Sequence, residues 1–191
     1  MDADHILNVL LHGNQLKRTT RTGWAQRGVP APENVAAHSY GVVFAALVLS
    51  ELIDEPIDLG ATLAMAALHD LPEGLTTDIP SPAWRFLPLG AKGTAERLAM
   101  EQIVAGWPAS AQWMGWWEQL QRNDTDEARL VHDADKVDQY LQAYIYEWQT
   151  GNRQLEEFWR NPHSFHFTPA QAIYDELRRQ RAALAREQDH P

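Results

Sequence analysis

The sequence has no cysteine in 191 residues. That excludes disulfides and thiolate-held metal, so any metal site must be built from His, Asp, Glu, backbone or water. It also suits a reducing compartment. Positive charge is scarce: 16 Lys+Arg stand against 26 Asp+Glu, a formal net charge of −10. So acidic a surface repels phosphate backbones, and long DNA or RNA is not an expected partner. A small phosphorylated substrate stays open, because a metal and a few local arginines outweigh the global field. No stretch approaches the ~18 consecutive apolar residues of a membrane span. The N-terminal MDADHILNVLLHGNQLK begins acidic and is interrupted by His5, Asn8 and His12, unlike a signal peptide. The expected location is therefore the cytoplasm, with no membrane partner. Internal repeats, low-complexity segments and alternating strand patterns are also missing.

What is present is helical. Hydrophobic residues make up 45% of the chain, which suits one domain over residues 1–191 with a sizeable core. Residues 3–17 carry Ile6, Leu7, Val9, Leu10 and Leu11 and predict a first helix. Residues 18–33, RTTRTGWAQRGVPAPE, read as a loop that is basic for this chain. A second helix should begin near Asn34, with Val35, His38, Val42, Ala45, Leu49 and Leu52 on one stripe. A third runs from Asp58, its N-cap, to Asp70; its body LGATLAMAAL is apolar all round and predicts a central buried helix. Residues 71–90 leave room for a short helix at most. Helices are expected near 91–105, with Ala95, Leu98, Ala99 and Ile103, and over the tryptophan-rich 108–122. A long helix should run from Asp124 or Thr125 to Thr150, with Leu130, Ala134, Val137, Leu141, Ile145 and Trp148 on its stripe and Gly151 ending it. A last one follows Thr168-Pro169 to about Arg186. The fold class is all-α.

The residues that carry chemistry sit where apolar residues would be cheaper. His69 and Asp70 end the most apolar helix, and a buried imidazole beside a buried carboxylate needs a partner; a metal satisfies both. His38 lies on the apolar stripe of the preceding helix, and Gly41, one turn on, would let a backbone or ligand approach. The long helix offers Asp133, Asp135 and Asp138. Periodicity does not choose between Asp133 and Asp135, which flank the Ala134 stripe at similar angles. A lone buried histidine is more often a hydrogen-bonded core residue than a ligand, and an His-Asp dipeptide is common by chance. The ensemble carries the argument: a His on one helix, His-Asp ending the next, Glu73 and Asp78 just after, and an Asp on a later helix.

That ensemble resembles the HD-domain superfamily of metal-dependent phosphohydrolases, in the order H…HD…D. It is similar in particular to the 5′-deoxynucleotidase branch, through LKRTTRTGW (16–24), PENVAAHSYG (32–41), ALHDLPEGLTTDIP (67–80), KGTAERLA (92–99) and ADKVDQYLQAYIYE (134–147). The similarity is strongest over residues 10–150, with 151–191 a helical extension. It implies an HD-domain helical bundle in which His38, His69, Asp70 and Asp135 hold one divalent transition metal ion. It further implies that Glu73 and Asp78 are catalytic acids, that Arg21 and Trp24 meet the phosphate and sugar, and that the protein is a homodimer. One position departs: Thr77 stands where the family usually has Gly before Asp78. If that position takes φ > 0, threonine resists it.

The chemistry is consistent with these residue types. Nitrogen and oxygen ligands without thiolate suit Mn, Co, Fe, Ni or Zn better than Ca or Mg. Glu73, four residues after His69, could position water or protonate a leaving 5′-oxygen. Asp78 could steady the water or bond a sugar hydroxyl. Arg21 could grip phosphate through paired hydrogen bonds, and Trp24 either offers a face to the sugar or plugs a local core. Trp113, Trp116 and Trp117 suit core or dimer surface better than ligand contact. Lys92 and Glu96 suit a surface pair, Glu118 is a weak pocket candidate, and His163 and His166, in FWRNPHSFHF, are not expected ligands. The expected activity is hydrolysis of deoxyribonucleoside 5′-monophosphates, with preference for deoxyribose. The alternatives are another nucleotide or small phosphate ester, or a non-catalytic metal-bound sensing domain.

Overall fold

The computed structural model describes residues 2–160 and 162–189, so Asn161 of the FWRNPHSFHF segment and the two chain ends lie outside it. Helix α1 (Ala3–Gln15) tightens into a 3₁₀ turn, and a one-turn α2 (Thr22–Ala25) follows. Then come α3 (Val35–Ser50), α4 (Leu59–Leu68) and the one-turn α5 (Glu73–Thr76) and α6 (Ser81–Trp84). The remainder is α7 (Ala91–Ile103), α8 (Ser110–Arg122), α9 (Asp126–Thr150), a one-turn α10 (Glu156–Trp159) and α11 (Thr168–Asp189). Among the described residues the β contact is one isolated bridge, Thr20 to Asn34.

Short polar residues start the principal helices. The side chains of Asp2, Asn34, Asp58 and Thr125 accept from the N–H three residues on, at 2.9, 2.9, 3.0 and 3.2 Å. Each satisfies a donor with no intrahelical partner. Asn123 and Gly151 close α8 and α9 in the left-handed conformation, with φ 53 and 65.

Helix α3 packs against both α4 and α9. Val42, Ala46 and Leu49 meet Met65 and Ala66 of α4 and Leu130, Val131 and Ala134 of α9. This contact brings the first turn of α3, the end of α4 and the middle of α9 together, and so positions the site.

Several expectations need correction. Helix α4 ends at Leu68, with His69 as its C-cap, and is not buried all round: Leu59, Gly60 and Ala67 are exposed. Its apolar composition reflects small residues on the open side rather than complete enclosure. The buried stripe of α9 runs through Leu130, Ala134 and Val137 to Tyr140, Ala143 and Tyr146, leaving Leu141 and Trp148 exposed. The cause is an aromatic cluster of Trp24, Trp159 and Tyr174 that packs on the Tyr140 side. Leu52, beyond the end of α3, and Leu98 of α7 are exposed as well. Residues 71–90 hold two one-turn helices, and the 18–33 segment is a closed loop containing α2. Its ends are tied by Arg21 N–H to the Glu33 carbonyl (3.1 Å) and Val35 N–H to the Thr19 carbonyl (2.8 Å).

Candidate metal centre and its cavity

His38 and His69 have one ring nitrogen each on an acceptor. His38 Nδ1 lies 2.7 Å from Asp138 Oδ2, and His69 Nδ1 lies 2.7 Å from the Ala66 carbonyl. Those partners can only accept, so both Nδ1 atoms carry protons. The two Nε2 atoms then face each other across 3.4 Å. Asp135 Oδ1 is 3.2 Å from His38 Nε2, and Asp70 Oδ2 is 3.1 Å from His69 Nε2 and 3.7 Å from His38 Nε2. Donor atoms of His38, His69 and Asp135 all fall within 4.8 Å of one another. This cluster, with the Asp70 carboxylate beside it, could hold a cation. Burial and Arg21 push the His38 pKa down, but Asp135 and Asp138 outweigh them and raise it to about 9. Asp70 and Asp135 resist burial and sit well below the usual carboxylate range, held there by the imidazoles and by Arg21 and Lys136. The donor set fits one divalent cation.

The choice that periodicity left open is made by packing. Asp133 is buried and turns away, its carboxylate accepting from His166 N–H (3.1 Å) and Phe167 N–H (2.8 Å) just before α11. It holds the start of α11 against α9 and is not part of the cluster.

A cavity of about 520 Å³ opens over Asp70 and Asp135. Glu73 lines it, buried, with Oε2 bonded to nothing. Burial pushes its carboxyl up to about 9, and Asp70 and Asp78 add to the shift. Burial beside these two carboxylates favours its protonated form. Arg21 Nη1 lies 3.3 Å from Asp70 Oδ2; burial opposes its charge, but Asp70, Asp135 and Asp78 hold the guanidinium firmly protonated.

Asp78 has one oxygen committed. Its Oδ2 accepts from Thr22 N–H at 2.6 Å, and its backbone carbonyl accepts from the Thr22 hydroxyl at 2.9 Å. This clasp anchors the residue that follows Arg21. Trp24 is the local plug: only 2% exposed, it packs on Tyr146 and Phe158 and donates Nε1–H to Glu33 Oε1 at 2.9 Å. It forms a fixed part of the cavity wall rather than a free stacking platform. Thr77 adopts φ 63 and ψ 165, a region that strains any residue with a Cβ.

Some cavity residues escaped the sequence reading. Lys136 lines the cavity, 3.3 Å from Asp135 Oδ2, with Gln139 and Tyr140 beside it. Helical spacing from Asp135 carries the signal, since 135 and 139 share a face, as do 136 and 140. Lys92 pairs with Glu96, but Glu96 is buried rather than on the surface, and Lys92 also lines the cavity and sits over the Trp84 ring. His163 arrives from an irregular segment and Trp84 from the one-turn α6, both too short for a periodic signal. Glu118 stays outside and accepts from Arg97. Trp113, Trp116 and Trp117 pack in or against the core around Val35 and Met100. A second cavity, about 510 Å³, lies by Glu147, Trp159 and Arg181 and contains none of the clustered residues.

The "5′-deoxynucleotidase HDDC2" of Bos taurus is 34% identical over 147 residues, covering 76% of this chain and 69% of the relative. The protein of that name from Danio rerio is 28% identical over 183 residues, 94% of this chain and 89% of the relative. Among solved structures, a conserved hypothetical protein from Pyrococcus furiosus superimposes with a TM-score of 0.79 at 34% identity, covering 91% of this chain and 99% of its own. The description of the HD domain matches residues 13–172, a span that includes every residue of the cluster, and the chain belongs to the HD-domain family.

Proposed function

We propose that His38, His69, Asp70 and Asp135 hold one divalent transition metal and that the protein hydrolyses deoxyribonucleoside 5′-monophosphates to deoxynucleoside and phosphate. The observation that carries the proposal is the convergence of two Nε2 lone pairs and two carboxylates beneath a cavity bounded by Arg21 and the buried Glu73. The relatives named 5′-deoxynucleotidase support the substrate class. Mn, Co, Fe, Ni or Zn fits this nitrogen and oxygen set. When bound, the metal would neutralise phosphate charge and acidify water.

The chain's own residues supply the rest. Arg21, already oriented by Asp70, binds phosphate oxygens through charged hydrogen bonds. As water oxygen bonds to phosphorus and the P–O5′ bond breaks, the alkoxide needs a proton. Glu73 carries one in reach of the cavity and donates it to O5′, and the proton given up by the attacking water restores the Glu73 carboxyl group. Asp78 keeps Arg21 in place through Thr22, and its second oxygen remains for water or a sugar hydroxyl. Trp24 favours deoxyribose as a rigid wall that leaves a 2′-hydroxyl without room or partner. Nucleoside monophosphates are anions that membranes retain, which supports a cytoplasmic location. The exposed Leu7, Leu10 and Leu11 face of α1 supports a homodimer.

The test is phosphate release from metal-reconstituted protein with paired deoxy- and ribonucleotides. We expect higher kcat/KM for dAMP than AMP, with little difference among deoxynucleotide bases. Arg21→Ala should lower kcat/KM for both by roughly ten- to a hundredfold, the equivalent of a hydrogen bond to a charged group worth about 1.5–3 kcal/mol. Equal values for dAMP and AMP would remove the deoxyribose preference. Bound metal with no nucleotide cleaved would remove the substrate class.

A further inference from the structure

A mid-helix glycine costs about 1 kcal/mol relative to alanine, and Gly41 lies in the middle of α3. A Cβ built on Gly41 would stand 2.0 Å from Asp138 Oδ1 and 2.6 Å from Asp138 Cγ. The space of the missing side chain is filled by the Asp138 carboxylate. That carboxylate, from the facing helix α9, is the acceptor for His38 Nδ1–H at 2.7 Å. His38 is fully buried, and Asp138 is largely so. Nδ1 and Nε2 point to opposite sides of the ring, so Asp138 touches the side away from His69 and Asp135. Glu33 completes this outer side: its carboxylate, His38 Nδ1 and Asp138 fall within 4.8 Å of one another.

We infer that Asp138 is a positioning residue for His38, and that residue 41 is glycine because any side chain there would push Asp138 off the imidazole. The carboxylate has three effects. It fixes the ring's rotation in a core where apolar neighbours would allow others. It keeps the proton on Nδ1, leaving the Nε2 lone pair free for a cation. It also draws on the N–H bond and so makes Nε2 a stronger donor. No ligand of the cluster could be replaced by Asp138, which lies on the wrong side of the ring. The inference rests on the metal reading above, but not on any particular substrate.

The experiment titrates Co²⁺ calorimetrically into metal-free protein and, before metal is added, raises the pH until the His38 ring is neutral and reads its tautomer by ¹⁵N NMR. Asp138→Ala should weaken Co²⁺ binding by about 10- to 100-fold, the usual effect of losing such a partner, and should end the fixed Nδ1–H form. Asp138→Asn keeps an oxygen that can accept the same N–H, so its loss should be smaller and the tautomer should persist; this variant also preserves the shape of the site should the alanine fail to fold. Gly41→Ala should fold, because the clash is with the end of one side chain, and should reproduce the Asp138→Ala defect. Added to Asp138→Ala, Gly41→Ala should cost nothing further. Co²⁺ binding within twofold of the parent in Asp138→Ala would overturn the inference, as would an equal Gly41→Ala penalty in both backgrounds. A parent that binds no Co²⁺ would overturn the metal reading and this inference together. A parent that binds Co²⁺ as expected but cleaves no nucleotide would refute only the substrate, with the His38 results still in force.

Discussion

His38 and Asp135 belong to helices that cross in the core, and Asp70 follows the end of α4 against it, whereas Arg21 and Asp78 come from loops and Trp84 from the one-turn α6, which meet at the cavity. The floor is held by packing: Val42, Ala46, Met65 and Ala134 fix the relative placement of α3, α4 and α9. The rim is held by a few polar contacts, chiefly the two-point clasp of Asp78 with Thr22 and the bridge of Thr20 with Asn34. The rim also carries strain at Thr77, where the floor carries none. A cation site needs several donors fixed to within fractions of an ångström, which buried helices provide. Substrate gripping tolerates, and uses, more adjustable loops.

The largest expected effect breaks the floor. His69→Ala, Asp70→Ala or Asp135→Ala should reduce bound metal to background in elemental analysis and abolish activity. Asp133→Ala, two residues away, should bind metal nearly normally. It should instead lower stability by about 1–3 kcal/mol, because the buried N–H groups of His166 and Phe167 lose their acceptor. Stoichiometric metal in the Asp135 variant would show that α9 contributes no ligand at that position.

Glu73 joins floor to rim, and Glu73→Gln should separate metal holding from proton transfer. Metal content should stay normal while kcat falls on the order of a hundredfold or more, the usual loss for a general acid. Near-normal turnover at normal metal content would make Glu73 structural.

Acidity sharpens the comparison next. In the metal-free protein His38 is raised from 6.5 to about 9, so its contribution to stability is complete below pH 6.5 and is lost as pH rises through 9. Glu73, raised from 4.5 to about 9, acts in the same sense from lower pH. Asp70 and Asp135, lowered from 3.8, contribute above that value and lose it on acidification. The thermal midpoint of metal-free protein should therefore peak at about pH 5–6 and decline towards pH 9. Bound metal, which replaces the proton on His38, should reduce the decline. A flat profile between pH 6 and 9 without metal would contradict the packing of unscreened charge in the floor.

The smallest effect belongs to the rim. Thr77→Gly should raise stability by about 1 kcal/mol in denaturant unfolding, the strain relieved being partly offset by the freedom glycine adds to the unfolded chain. Destabilisation would mean that the Thr77 side chain earns its place through contacts that outweigh its backbone.

The residues of the floor were legible in the chain as types and spacings. His38 interrupts an apolar stripe, His69-Asp70 ends an apolar helix, and Asn34, Asp58 and Thr125 announce their helices as caps. Each is a local property, set by side-chain chemistry and the 3.6-residue turn. Three-dimensional packing decided what local rules leave degenerate. Asp133 and Asp135 flank one stripe symmetrically, and only the approach of residues 166 and 167 claims the first and frees the second. The aromatic cluster on the Tyr140 side of α9 set which of its apolar residues are buried. Trp24 became a wall, and Lys92, Lys136 and His163 became cavity neighbours, because segments far apart in sequence happen to converge there. Gly41 was noticeable in the sequence as a small residue near His38, but its reason is a carboxylate from a helix almost a hundred residues later. Helix periodicity operates over one or two turns; contacts between helices depend on every side chain at the crossing, and these the tertiary structure alone decides.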